Sequence, residues 1–109
     1  MTESPAGWMF GKSNALPWQP MGDKVAMKML GAAGGRVVAL FKFDAGYNGT
    51  THHHDDAEFS YLLEGDIVSN GVSMEAGDAY AAEPGTDHTE FRTSGGAVLV
   101  SVFKAPKQS

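Results

Sequence analysis

The sequence predicts an all-β domain, a small jelly roll or barrel, and three observations carry that prediction. Gly and Pro are frequent, fourteen and five in 109 residues, and leave few windows long enough for a helix. The apolar residues fall in short runs, each closed by a turn signal, at the spacing of strands in a sandwich or barrel. No segment repeats another. In chain order, VAMKML (25–30) is followed by GAAGG, RVVALFKF (36–43) by DAG, and EFSYLLE (58–64) by Gly65-Asp66. IVS (67–69) runs into Asn70-Gly71, the pair best suited to a tight hairpin because both of its central positions accept positive φ. VSM (72–74), AYAA (79–82), HTEFRT (88–93) and AVLVSVF (97–103) complete the set. Residues 1–20 hold Trp8, Phe10, Trp18 and three prolines and read as an irregular arm. Two tryptophans seldom stay in water, so the arm is expected to lie over a barrel face or a neighbouring subunit, with 21–109 forming the barrel.

A chain of 109 residues is expected to be one domain with one core. Cys is absent, so any metal must be held by nitrogen and oxygen donors. The net charge is -5 and the eight Lys and Arg are scattered singly, which offers no basic stripe to a phosphate backbone; nucleic acid is not an expected partner. The first residues show no basic stretch leading into an apolar one, and no apolar run reaches 18 residues, so a soluble, cytoplasmic protein without a membrane partner is expected. GAAGGR leads into a strand rather than a helix, which removes a phosphate-binding loop, and no Ser-His-Asp or Cys-His arrangement is visible.

The chemistry concentrates in GYNGTTHHHDDAEFSYLLEG (46–65). On a strand, His52 and His54 share a face while His53 points the other way. Two imidazoles two residues apart can converge on one ion. Glu58 follows across Asp55-Asp56-Ala57, with the aspartates read as a solvated turn. His88 is presented at a strand end after Pro84-Gly85. His52, His54, Glu58 and His88 together make a three-nitrogen, one-oxygen set suited to one divalent Fe, Mn, Ni, Cu or Zn ion, with positions left open for a small molecule. Ser60 and Leu62 share the Glu58 face; Phe59, Tyr61 and Leu63 cover the other, which is apolar and is expected to be buried by the arm or by a second subunit, so a homodimer is expected. Phe41, Phe43, Tyr80 and Phe103 are candidates for a water-excluding substrate pocket. Glu90 and Arg92 share the parity of His88, and either reach the pocket or pair with each other or with solvent.

These residues carry a family resemblance. The run Gly46-x5-His52-x-His54-x3-Glu58-x6-Gly65 resembles the first cupin motif, and Gly77, Gly85 and His88 resemble the second, with Pro84 directly before Gly85 and Arg92 where the motif often has Asn. The resemblance covers about residues 25–103 and implies a double-stranded β-helix barrel, a metal held by three His and one Glu, and frequent dimers. WQPMGDKVAMKML, GGRVVALFKFDAG and HHHDDAEFSYLLEGDI further resemble the ChrR-like cupins and the small dioxygenases that cleave acetylacetone or dihydroxyacetophenone. The acetylacetone-cleaving type binds iron through three histidines only, so Glu58 marks a departure. The resemblance implies a metal-binding oxidoreductase of the dioxygenase type, Fe(II) being the expected ion, acting on a small ketone, diketone or phenol. The alternatives are a non-catalytic metal- or ligand-sensing module and a metal-dependent isomerase.

Overall fold

A computed structural model describes residues 5–105 of the chain. Ten strands carry its regular structure: β1 (Gln19–Gly22), β2 (Val25–Ala33), β3 (Arg36–Phe43), β4 (His52–His54), β5 (Glu58–Ser69), β6 (Val72–Glu75), β7 (Ala79–Ala82), β8 (Thr86–His88), β9 (Phe91–Arg92) and β10 (Ala97–Lys104). The described residues add one 3-10 turn, Ser13–Ala15, and contain no helix long and apolar enough to cross a membrane. All strand pairings are antiparallel, in the order β1-β2-β3-β10-β5-β6, with β7 and β9 also on β5 and a separate β4-β8 ribbon. The all-β jelly roll expected from the sequence is therefore the fold.

β5 organises this arrangement. EFSYLLE and IVS, expected as two strands around a Gly65-Asp66 turn, form one strand of 12 residues. Its first half pairs with β10 and β7, its second with β6 and β9, so the strand serves both sheets by bending between them. Gly65 sits at that bend with φ 84, and a β-carbon there would overlap the Gly96 carbonyl. Only glycine meets both conditions. The Asn70-Gly71 hairpin follows, with φ 48 and 79 as a tight turn of this hand requires.

A second departure lies at HTEFRT, which is split. Asn70 Oδ1 accepts hydrogen bonds from the backbone N–H of Thr89 (2.7 Å) and Glu90 (3.2 Å), and its amide donates to the Asp87 carbonyl at 3.0 Å. A side chain thus takes backbone groups that a ladder would have used, and the strand breaks between β8 and β9.

Alternation along the strands sorts the side chains. Phe43, Leu62, Ile67, Met74, Phe91, Ala97 and Leu99 form the buried core, with Val25, Phe41, Tyr47 and Tyr80 packed against it. The ring centroids of Phe43 lie 4.7 Å from Tyr47 and 4.8 Å from Phe91, in tilted geometry that favours aromatic contact. On the outer side of β5, Phe59, Tyr61 and Leu63 are exposed. The arm drawn at 1–20 and the barrel drawn at 21–109 meet inside β1, which pairs with β2. Ahead of it, the Trp18 ring is flanked by the ammonium groups of Lys28 (4.7 Å) and Lys42 (4.9 Å), and Lys28 also donates to the Ser13 carbonyl at 2.8 Å. These contacts fasten the segment to the barrel wall. Trp8 and Phe10 stack on each other and remain exposed.

Gly65→Ala should lower the free energy of unfolding by at least about 1–2 kcal/mol, the conformational cost of a positive φ alone, before the overlap with Gly96 is counted. A denaturant midpoint equal to that of the unmodified protein would show that the bend accepts a side chain.

Candidate metal centre

The site is built by register. In the β4-β8 ribbon, His52 lies opposite His88, His53 opposite Asp87 and His54 opposite Thr86. Directly opposed residues of an antiparallel pair project to the same face with β-carbons about 5 Å apart, so His52 and His88 meet, and His54, two positions along, joins them. A slip of one residue would turn His53 and Asp87 inward instead. The ribbon is tied at its far end by the Gly85 N–H, which donates to the His54 carbonyl at 2.7 Å, with Gly85 at φ 84.

One ring nitrogen from each of His52, His54 and His88 falls within 4.8 Å of the others. The Nε2 atoms of His52 and His54 are 2.9 Å apart. Two nitrogens bound at about 2.0–2.1 Å to one ion and at right angles to each other are separated by about 3 Å, so the pair fits two adjacent positions on a metal. His54 and His88 are buried, whereas His52 is exposed at the rim. Burial holds the pKa of His88 below the ordinary imidazole value, and His52 and His54 add to the effect against the opposing charge of Glu58. His88 is thereby kept in the neutral form that a metal requires. Ser69 Oγ lies 2.8 Å from His88 Nε2, and the rings of Tyr80 and Phe91 stand edge-on to the imidazole.

His53 faces away. Its Nδ1 is 2.6 Å from Asp87 Oδ1, and this hydrogen bond, with the charges of Asp87 and Asp55, raises its pKa above the ordinary value. The three adjacent histidines therefore divide two to one, as strand parity requires.

Glu58 is placed differently from the three imidazoles. It borders the same cavity, but it is not in the cluster of converging donors, and its Oε2 accepts a hydrogen bond of 2.9 Å from the Tyr80 hydroxyl. The cavity has a volume of about 380 Å³ and reaches from His52, Glu58 and His88 into the barrel. Phe41, Phe43, Tyr80 and Phe103, the four positions singled out from sequence, all border it. Met21, Tyr47, Thr50, Phe91 and Ser101 border it as well and were not singled out. Tyr47 and Thr50 had a signal, since both fall within the histidine motif; Met21 had none, because it arrives through the pairing of β1 with β2. No Lys or Arg is among the described residues that line it. Arg92 Nε donates to Glu90 Oε2 at 3.0 Å, so the pair left open by parity is closed on itself, away from the cavity lining.

His52→Ala, His54→Ala and His88→Ala should each lose at least about tenfold in metal affinity, while His53→Ala binds normally. Metal content after dialysis against a weak chelator checks this. Equal losses in His53→Ala and His54→Ala would mean that the β4-β8 register is off by one.

Comparison with known proteins places the chain in a family. Residues 8–108 match the ChrR Cupin-like domain. The chain is 29% identical over 98 residues to the pectin degradation protein KdgF of Dickeya dadantii (strain 3937), covering 85% of this chain and 88% of that protein. Among solved structures, an RmlC-like cupin from Shewanella frigidimarina superposes with a TM-score of 0.80 at 25% identity, covering 99% of this chain and 97% of the other. A putative acetylacetone dioxygenase from Methylibium petroleiphilum superposes with a TM-score of 0.82 at 17% identity, covering 97% and 83%. With its barrel, its histidine cluster and a match over nearly its whole length, the chain belongs to the ChrR cupin-like domain family.

Proposed function

We propose that the protein is a metal-dependent oxidoreductase of the dioxygenase type, acting on a small ketone, diketone or phenolic compound. The observation that carries this reading is a three-histidine cluster two of whose members, His52 and His88, border an aromatic-lined cavity of about 380 Å³ with no Lys or Arg among the described lining residues. His52, His54 and His88 hold one divalent ion in this reading, Fe(II) in the first place and Zn, Mn or Ni as alternatives, with Glu58 beside it. When bound, the ion supplies Lewis-acid polarisation of substrate oxygens and, as iron, chemistry with O₂. The protein's own part is positional. Phe41, Phe43 and Phe103 exclude water and grip an apolar or aromatic body, while the polar end of the substrate faces His52, Glu58 and Tyr80. Burial, followed by the charge of Glu58, pushes the pKa of Tyr80 well above the ordinary phenol range. Tyr80 therefore remains a hydrogen-bond donor at neutral pH.

A second reading, a metal-dependent isomerase, draws on the relative named for pectin degradation and on the Glu58–Tyr80 pair as a means of moving a proton. Pectin fragments carry carboxylates, and a lining with no Lys or Arg among the described residues favours the neutral or phenolic substrate instead.

Oxygen uptake by anaerobically iron-loaded protein over β-diketones, hydroxyacetophenones and simple phenols separates the readings. The proposal expects uptake with at least one of them under iron and none under zinc. No uptake with any compound, together with conversion of pectin-derived sugars under zinc or manganese, would replace it with the isomerase reading.

We further infer that two copies associate through the outer face of β5 and β10. Phe59, Tyr61 and Leu63 are 51%, 46% and 43% exposed there. They adjoin Val100 and Val102 in the paired strand, a continuous apolar surface of the kind that a two-fold axis matches to itself. Sedimentation should give a dimer for the unmodified protein and a monomer for Tyr61→Lys; an unmodified monomer at micromolar concentration would refute the association.

A further inference from the structure

Of the described residues that border the cavity, three are exposed and so mark its rim: Met21, Thr50 and His52. Thr50 and His52 are polar, whereas Met21 offers an apolar side chain and is 57% exposed. Its position follows from an irregularity in the β1-β2 pair. Pro20 is opposite Ala26 and Gly22 is opposite Val25, so Met21 is an extra residue without a partner. Such a bulge at a barrel rim re-aims a side chain. Gly22 leaves it room, since a β-carbon there would stand 3.6 Å from Val25 Cγ1. The end of the hairpin is tied to the barrel where the Asp44 N–H donates to the Lys24 carbonyl at 2.9 Å. In the β2-β3 pair, Val25 is opposite Phe43 and Met27 is opposite Phe41, and Val25, Phe41 and Phe43 all border the cavity. The bulge therefore sets a thioether at the open end of an aromatic wall. Methionine suits that place, because it is unbranched and flexible and its sulfur makes favourable contacts with rings.

We infer that Met21 is a specificity-determining residue, which folds over the apolar body of a bound compound at the rim and selects for ketones and diketones that carry an aromatic ring. The inference rests on the reading of this cavity as the substrate site, and it narrows the substrate class within that reading. The polar end of the compound faces His52, Glu58 and Tyr80 and is the same for a small or a large diketone. Selection then lies in the contact between the rest of the molecule and the wall formed by Phe41, Phe43 and Met21, the last of which gives up solvent-exposed apolar surface when a ring lies against it.

Calorimetric binding of acetylacetone and benzoylacetone to the zinc-loaded protein tests this without turnover, with thermal melts confirming that each variant folds. The two probes share the diketone end and differ by a phenyl in place of a methyl. Met21→Ala should weaken benzoylacetone about fivefold and leave acetylacetone within about twofold, the difference being the contact of the thioether with the ring. Met21→Leu, similar in volume, should keep both within about twofold. Met9→Ala, which removes an exposed methionine from outside the cavity lining, should change neither. Methyl NMR gives a second readout on the unmodified protein, with the Met21 resonance assigned by its absence from Met21→Leu. Benzoylacetone should move that resonance through the ring current, and acetylacetone should leave it in place. Equal losses for both probes in Met21→Ala, no loss for either, the same change of selectivity in Met9→Ala, or an unmoved Met21 resonance would each overturn the inference. An unmodified protein that binds neither diketone is a separate result, which removes the diketone reading of the cavity and this inference with it.

Discussion

The site depends on the register of a two-stranded ribbon. β4 and β8 are three residues each, too short to hold their pairing unaided, yet the meeting of His52, His54 and His88 requires that His52 stand opposite His88. The constraint is met from outside the ribbon. Gly85 closes one end onto His54, and Asn70 grips the chain on either side of His88 through the Asp87 carbonyl and the Thr89 and Glu90 N–H groups. Asn70 is placed by the hairpin between β5 and β6, and β5 is placed by the bend at Gly65. The geometry of a possible ion is thus set by a turn residue about twenty positions away in sequence.

Much of this was legible in the sequence, and the limit is physical. Strand parity is a local property of period two, so the division of the histidines into 52 and 54 against 53 could be read directly. The strand runs at 36–43 and 79–82 match β3 and β7 because their ends carry strong turn residues. Pairing partners are not local. Nothing in TDH says that it pairs with HHH, or that Met21 will reach the cavity. Glycine was also ambiguous: at Gly71 it makes the expected turn, and at Gly65 it bends a continuous strand, because there the demand comes from the approach of Gly96 rather than from the glycine's own segment. Asn70 was read for its backbone conformation alone, and its side chain, which splits HTEFRT, was the more consequential half.

The cavity combines two environments that oppose each other energetically. Much of its wall is aromatic and aliphatic, while it is also bordered by the imidazoles of His52 and His88 and the carboxylate of Glu58, with His54 clustered behind them. Burial disfavours the charged form of His88, and the neighbouring imidazoles act in the same direction, so its pKa is lowered. A neutral imidazole offers the lone pair that a divalent ion needs, and one ring nitrogen from each of the three lies within 4.8 Å of the others. Polar partners from the barrel reach this group: Tyr80 donates to Glu58 Oε2 at 2.9 Å, and Ser69 Oγ lies 2.8 Å from His88 Nε2.

X-ray absorption at the metal edge of the loaded protein tests the account most directly, because imidazole rings scatter characteristically and can be counted. The account predicts three imidazoles at about 2.0–2.2 Å, the range for nitrogen donors on a divalent transition ion, with the remaining ligands oxygen. A spectrum with two imidazoles or fewer would contradict it, since the β4-β8 register cannot then be what gathers His52, His54 and His88.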